Sequence, residues 1–215
     1  NGVRCVAALA LAKIHVSSSH VALLEAVEKH GNHMLRECAI IALRRLQPSP
    51  VEELSTAALT ASDARVREAA MRSLMPNATR VMRPTFQAGL KDTERFPRFA
   101  AAEALGNIRK STSATEILIE TLKHEDVAVA NRAAVSLGRV AARNESELKA
   151  LRPRILQSLL AAFRQHVDPD VADAEWGWRV VGNAILEFGD EGAEALREIR
   201  DHSDNSRLAE LAWRV

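Results

Sequence analysis

From residue 3 to residue 140, one twelve-residue arrangement of apolar and polar positions recurs, apolar or small at its positions 1, 5, 8, 9 and 12. Such spacing lays a single stripe along a helix of 3.6 residues per turn. The segments are 3–14, 35–46, 66–77, 97–108 and 129–140, with Leu11, Leu43, Leu74, Leu105 and Leu137 at the ninth position, 32, 31, 31 and 32 residues apart. Ala fills the fifth position in all five (Ala7, Ala39, Ala70, Ala101, Ala133), and Arg the second in four (Arg4, Arg36, Arg67, Arg98). Asn32, Asp63, Glu94 and Asp126 stand three residues ahead of the last four segments. Most of these side chains can accept the unpaired amide hydrogens of a helix start, so each segment is predicted to open a helix.

Further helices are predicted between them, at 20–30, 50–60, 79–91, 113–123 and, longer, 147–166. The breaks fall on turn-forming residues: Ser17 to Ser19, Gly31-Asn32, Gln47 to Pro50, Pro76-Asn77 and Ser111 to Ser113. The unit is therefore a helix-turn-helix of about 31 residues. A helix pair this small cannot bury both apolar faces alone, so neighbours must stack, which makes the expected fold an all-α solenoid of antiparallel helix pairs. The expected organisation is one repeat domain over 1–215: a half repeat at 1–15 and regular repeats at 16–47, 48–77, 78–110 and 111–143. A repeat with an insertion follows at 144–189, then a terminal pair at 190–215. The inserted repeat puts Ile185 at the ninth position, 48 residues after Leu137, and carries the acidic stretch from Asp168 to Glu175. An incomplete first repeat and an uncapped last one lead to the expectation of flanking sequence in the native protein.

The run Arg98-Phe99-Ala100-Ala101-Ala102-Glu103-Ala104-Leu105-Gly106-Asn107-Ile108 follows the pattern Val-Arg-x-x-Ala-Ala-x-Ala-Leu-Gly-x-Ile almost throughout, and so resembles the short HEAT repeat of the phycobilin-lyase type. The resemblance covers residues 1 to about 143. It implies a right-handed superhelix of the armadillo/HEAT class whose second helices line a concave face used mainly to bind other macromolecules. Such repeats serve many unrelated roles, so fold is better indicated than function.

Composition narrows the remaining classes. An apolar fraction of 47% and a charged fraction of 27% are those of an ordinary globular chain. Aromatics are only 4%, which leaves an aliphatic core. The longest apolar run, Cys5 to Ala12, is far shorter than a membrane span, while the compartment stays open. Two cysteines, Cys5 and Cys38, are expected as buried thiols. The formal charge of +1 conceals 16 basic against 10 acidic residues over 1–110, and 13 against 18 over 111–215.

The repeated arginines read either as an anion site or as a structural ladder of Arg4, Arg36, Asp63, Arg67, Glu94, Arg98 and Asp126, and repetition in register favours the ladder. A nucleic-acid groove, as in HEAT-like DNA glycosylases, needs a basic surface. Here positions 3 and 7 are mixed, with Glu37, Glu68, Phe99, Asn131, Ile41, Arg72, Glu103 and Val135, which suits a protein or peptide better. The contacts expected for such a partner are Ile41, Arg45, Arg72, Phe99, Glu103, Val135, Arg139, Trp176 and Trp178. No catalytic, cofactor or metal site is expected. His15, His20, His30 and His33 flank turns too far apart for one ion. The single His124-Glu125 pair does not match the several facing pairs of HEAT-repeat hydroxylases, and no residue can be assigned to a bilin lyase activity. The carboxylates Asp168, Asp170, Asp173 and Glu175 lack the spacing and glycine of a calcium loop. The expected function is a non-catalytic binding or scaffolding segment of a larger protein that takes a protein or peptide through its concave face. An accessory domain packed on a catalytic domain and a nucleic-acid binder are the alternatives.

Overall fold

A computed structural model describes residues 6, 7, 10, 19–29, 33–43, 45, 51–165 and 174–215, except for the side chains of residues 20, 28, 29, 33–37 and 174–176. The described residues are all-α and form two compact units, Asn1–Asn107 and Ile108–Val215.

In the first unit, α1 (Ser19–Lys29) packs on α2 (His33–Leu43), α3 (Val51–Thr60) on α4 (Ala64–Leu74), and α5 (Arg83–Gly89) on α6 (Arg95–Asn107). The second helices stack in order, α2 on α4 and α4 on α6. The twelve-residue pattern explains why. Ala70, Leu74, Ala101 and Leu105, its fifth and ninth positions, are buried, and so are Met71 and Ala102 at the sixth. Asp63 caps α4 by accepting the Arg65 amide. The segment 66–77 is helical to Leu74 and ends in a 3-10 turn over Met75–Asn77, at the break expected there, because Pro76 cannot donate the next helical hydrogen bond. Pro84 likewise divides the helix expected at 79–91 into a 3-10 turn at Arg80–Met82 and the short α5.

The second unit repeats the scheme with α7 (Thr112–Thr121) on α8 (Val127–Ala142), α9 (Arg152–Gln165) on α10 (Ala174–Leu186), and α11 (Asp190–His202) on α12 (Ser206–Arg214). Ser111 and Asp126 cap α7 and α8 through their side chains. A Cβ on Gly138 would meet the Ala184 Cα at 2.9 Å, so α8 and α10 approach as closely as a glycine allows. The long helix expected at 147–166 begins as a 3-10 segment, Ser146–Leu151, before α9. Arg152 ties these elements together. It donates to the Ala141 and Phe188 carbonyls at 2.9 Å each, pairs with Glu191 at 3.3 Å, and stacks over the Phe188 ring.

Cys38 is half-buried on α2 and disulfide-bonded, which corrects the expectation of a free buried thiol. Helical periodicity places a cysteine on a face without saying what the neighbouring helix brings against it. Cys5 lies outside the described residues, as do Arg4, the histidines His15 and His30, and Asp168, Asp170 and Asp173.

Candidate functional site: the outer face of the second helices

Positions 3 and 7 of the pattern point away from the stripe that packs the stack, so the side chains there form the face left to solvent. In the first unit this face holds Glu68 and Arg72 on α4 and Phe99 and Glu103 on α6, all half-exposed. Arg72 reaches Glu68 one turn earlier at 2.8 Å and Glu103 on the next helix at 3.6 Å. One of the expected contacts is thus ion-paired to another. Phe99 meets the ring of Phe96 edge-on at 6.0 Å, with the Arg95 guanidinium 5.7 Å from its centroid. Phe96, absent from the sequence-based set, is 62% exposed. It lies just ahead of Pro97, the first position of its segment, where the pattern makes no demand. Ile41 on α2 is 41% exposed and Arg45, in the turn after it, is exposed.

In the second unit, Val135 is half-exposed on α8, and Arg139 is exposed in its last turn, where a cation complements the helix dipole. Trp178 is only 7% exposed and belongs to the core under α10, so it offers a partner no surface. Gly177-Trp178 occupies the first two pattern positions, and the ring turns inward where other repeats carry arginine or alanine. The Trp176 side chain and residues 166–173 lie outside the described residues.

The arginine column behaves differently from the face. Arg67 donates from Nε and Nη2 to Asp92 at 2.7 and 2.8 Å, and from Nη1 to the Ala61 and Ser62 carbonyls. Both charged side chains of the pair are nearly buried. Arg98 donates to the Asp92 and Thr93 carbonyls. Asp92, which also takes the Glu94 amide, was missed because it lies five residues before its segment rather than three. Asp63 pairs with Arg65. Burial alone would raise the Asp92 carboxyl, but the Arg67 guanidinium and the Glu94 amide outweigh it, and the group is held below the usual carboxylate range.

A second buried carboxylate, Glu145, accepts Arg109 Nε at 2.8 Å and the Lys110 amide at 2.5 Å. It too is held low, with these hydrogen bonds outweighing burial. Beside it, burial lowers the Arg143 guanidinium, assisted by the nearby cations Arg109 and Arg139, and its Nη1 is buried without a hydrogen-bond partner. Among the described residues no group of three His, Cys, Asp or Glu side chains is placed to hold a metal ion. No described helix is long and apolar enough to cross a membrane.

Comparison with known proteins agrees with this architecture. No curated protein matches the chain. Its fold is similar to that in a crystal structure of an engineered protein from the Northeast Structural Genomics Consortium, with a TM-score of 0.51 at 19% identity, over 96% of this chain and 94% of that one. Residues 83–176 match the family model for HEAT repeats, and the fold is an all-α solenoid of that type.

Proposed function

We propose that the chain is a non-catalytic binding or scaffolding segment that takes a protein or peptide on the outer face of its second helices. The observation that carries this reading is the exposed Phe96, set edge-on against Phe99 on the helix that also supplies Glu103 to the Glu68–Arg72–Glu103 ion pairs. An aromatic anchor beside fixed charges is the composition of a protein-binding hot spot. HEAT repeats, to which residues 83–176 are similar, generally bind proteins. Mixed charge on this face supports a protein partner over nucleic acid, which needs a continuous basic track. The spacing of 31 to 32 residues supports placing the repeats with the short, phycobilin-lyase type. The arginine column is assigned a structural role, supported by Arg67, whose donors are engaged by Asp92 and two carbonyls.

The reading is tested by capture from an extract of the source organism, with and without nuclease, using the wild-type chain, a Phe96→Asp/Arg72→Glu variant and an α3 control, Glu53→Lys. One discrete protein retained after nuclease by wild type and control, and lost by the face variant, is the expected result. Binding abolished by nuclease, or unaffected by the face variant, contradicts it.

A further inference from the structure

A cleft of about 190 Å³ opens in the second unit where the α7–α8 turn meets the end of α9 and the middle of α10. Leu122, Val127, Ala130, Ala162 and Val181 make an apolar lining. Lys123, His124, Asn131 and Gln165 supply its polar groups, and among the described residues no carboxylate lines it. The volume is below the roughly 300–1,000 Å³ of small-molecule sites and suits a single side chain.

The polar groups have defined roles. His124 Nδ1 accepts the Asp126 amide at 2.9 Å, which leaves the ring proton on Nε2 as a donor. Lys123 Nζ is a second donor, engaged among the described residues by Glu120 at 3.7 Å in an exposed pair of the weak kind. Asn131 lines the cleft with its Oδ1 buried and without a hydrogen-bond partner, and presenting that acceptor to a ligand requires a half-turn about χ2 that exchanges Oδ1 with Nδ2. Two donors of positive or neutral character, one unsatisfied acceptor and an apolar lining match the last residue of a peptide. Its carboxylate meets Lys123 and His124, its amide N–H meets Asn131, and its side chain fills the apolar space.

We propose that this cleft binds the C-terminal residue of a partner peptide, a residue with an apolar side chain and a free carboxylate. Lys123 and His124 belong to the α7–α8 turn, and of the cleft's polar groups only Asn131 is shared with the second-helix face, so loss of acid binding in the Lys123 and His124 variants tests the cleft and leaves the reading of that face standing.

The test is fluorescence polarisation with the full chain and labelled hexapeptides of neutral sequence. One ends in Leu as the free acid, one in Leu amide, one in Ser, and one has an internal Asp and an amidated Leu. Saturable binding of the free acid is expected, weakened about tenfold or more by amidation, as the loss of a charge-assisted hydrogen bond requires. The Ser peptide binds more weakly as well. Lys123→Gln weakens the free acid only, and so does His124→Asn, which keeps an acceptor for the Asp126 amide but loses the distal donor. Melting temperature reports that both variants fold. No saturable binding of the free acid up to about 1 mM, equal binding of acid and amide, or equal binding of the internal-Asp peptide overturns the proposal.

Discussion

Arg67 and Asp92 form a two-pronged pair in which each side chain is nearly excluded from water, 11% and 8% exposed. Removing one partner of a buried pair strands the other charge. Asp92→Ala is therefore expected to cost about 3 kcal/mol, read as a lower denaturant midpoint at unchanged slope. The same geometry sets the acid limit. Asp92 and Glu145 are both held below their unfolded values of about 3.9 and 4.3, so their contribution is complete above that range and is lost as pH falls through the folded values. Stability from these groups should be flat from pH 7 to about 5 and decline below about 4, with a shallower decline in Asp92→Asn. Arg143 has the opposite character, being a half-buried cation beside two others, with its Nη1 buried and unpartnered. Arg143→Met is expected to leave the melting temperature unchanged or raise it, since an apolar side chain of similar length removes the desolvation cost. A clear drop would mean that the Glu145 attraction outweighs that cost. The sequence pointed to Arg67 but named Asp63 and Glu94 as its acids, because a linear offset cannot say which carboxylate of the adjacent turn folds back against the guanidinium.

Element by element, the second helices were the most readable part of the sequence, and packing is the reason. Positions 5, 6 and 9 lie between adjacent helices, so only Ala, Gly or a well-shaped aliphatic fits, and the restriction recurs every 31 to 32 residues. Ala101→Leu should overpack this seam and cost about 1 to 3 kcal/mol, and Gly138→Ala should cost a similar amount because its Cβ would press on the α10 backbone. Calorimetry of both variants checks this, and unchanged midpoints would refute the buried register. The first helices were less readable. Their one-sided contacts leave more sequence freedom, and Pro84 split one of them into a 3-10 turn and a short helix that a 3.6-residue pattern does not register. Trp178 and Phe96 show the same limit at the candidate site. The pattern says which positions pack, but not that an aromatic at position 2 turns inward while one just ahead of position 1 stays in water.

For the molecule as a whole, stability in stacked repeats is a sum of nearest-neighbour interfaces, so damage should stay local. Hydrogen exchange of Gly138→Ala is expected to lose protection in α8 and α10 first, with α4 and α6 retaining theirs; uniform loss across the chain would indicate a single cooperative block. The central claim, that the outer face of the second helices is where a protein partner lies, is tested most directly by a photo-cross-linking amino acid placed at Phe96 and, as a control, at Glu53 on α3. The account predicts a discrete protein adduct from position 96 and none from position 53. Adducts from position 53 alone, or from neither position with a partner demonstrably bound, would contradict it.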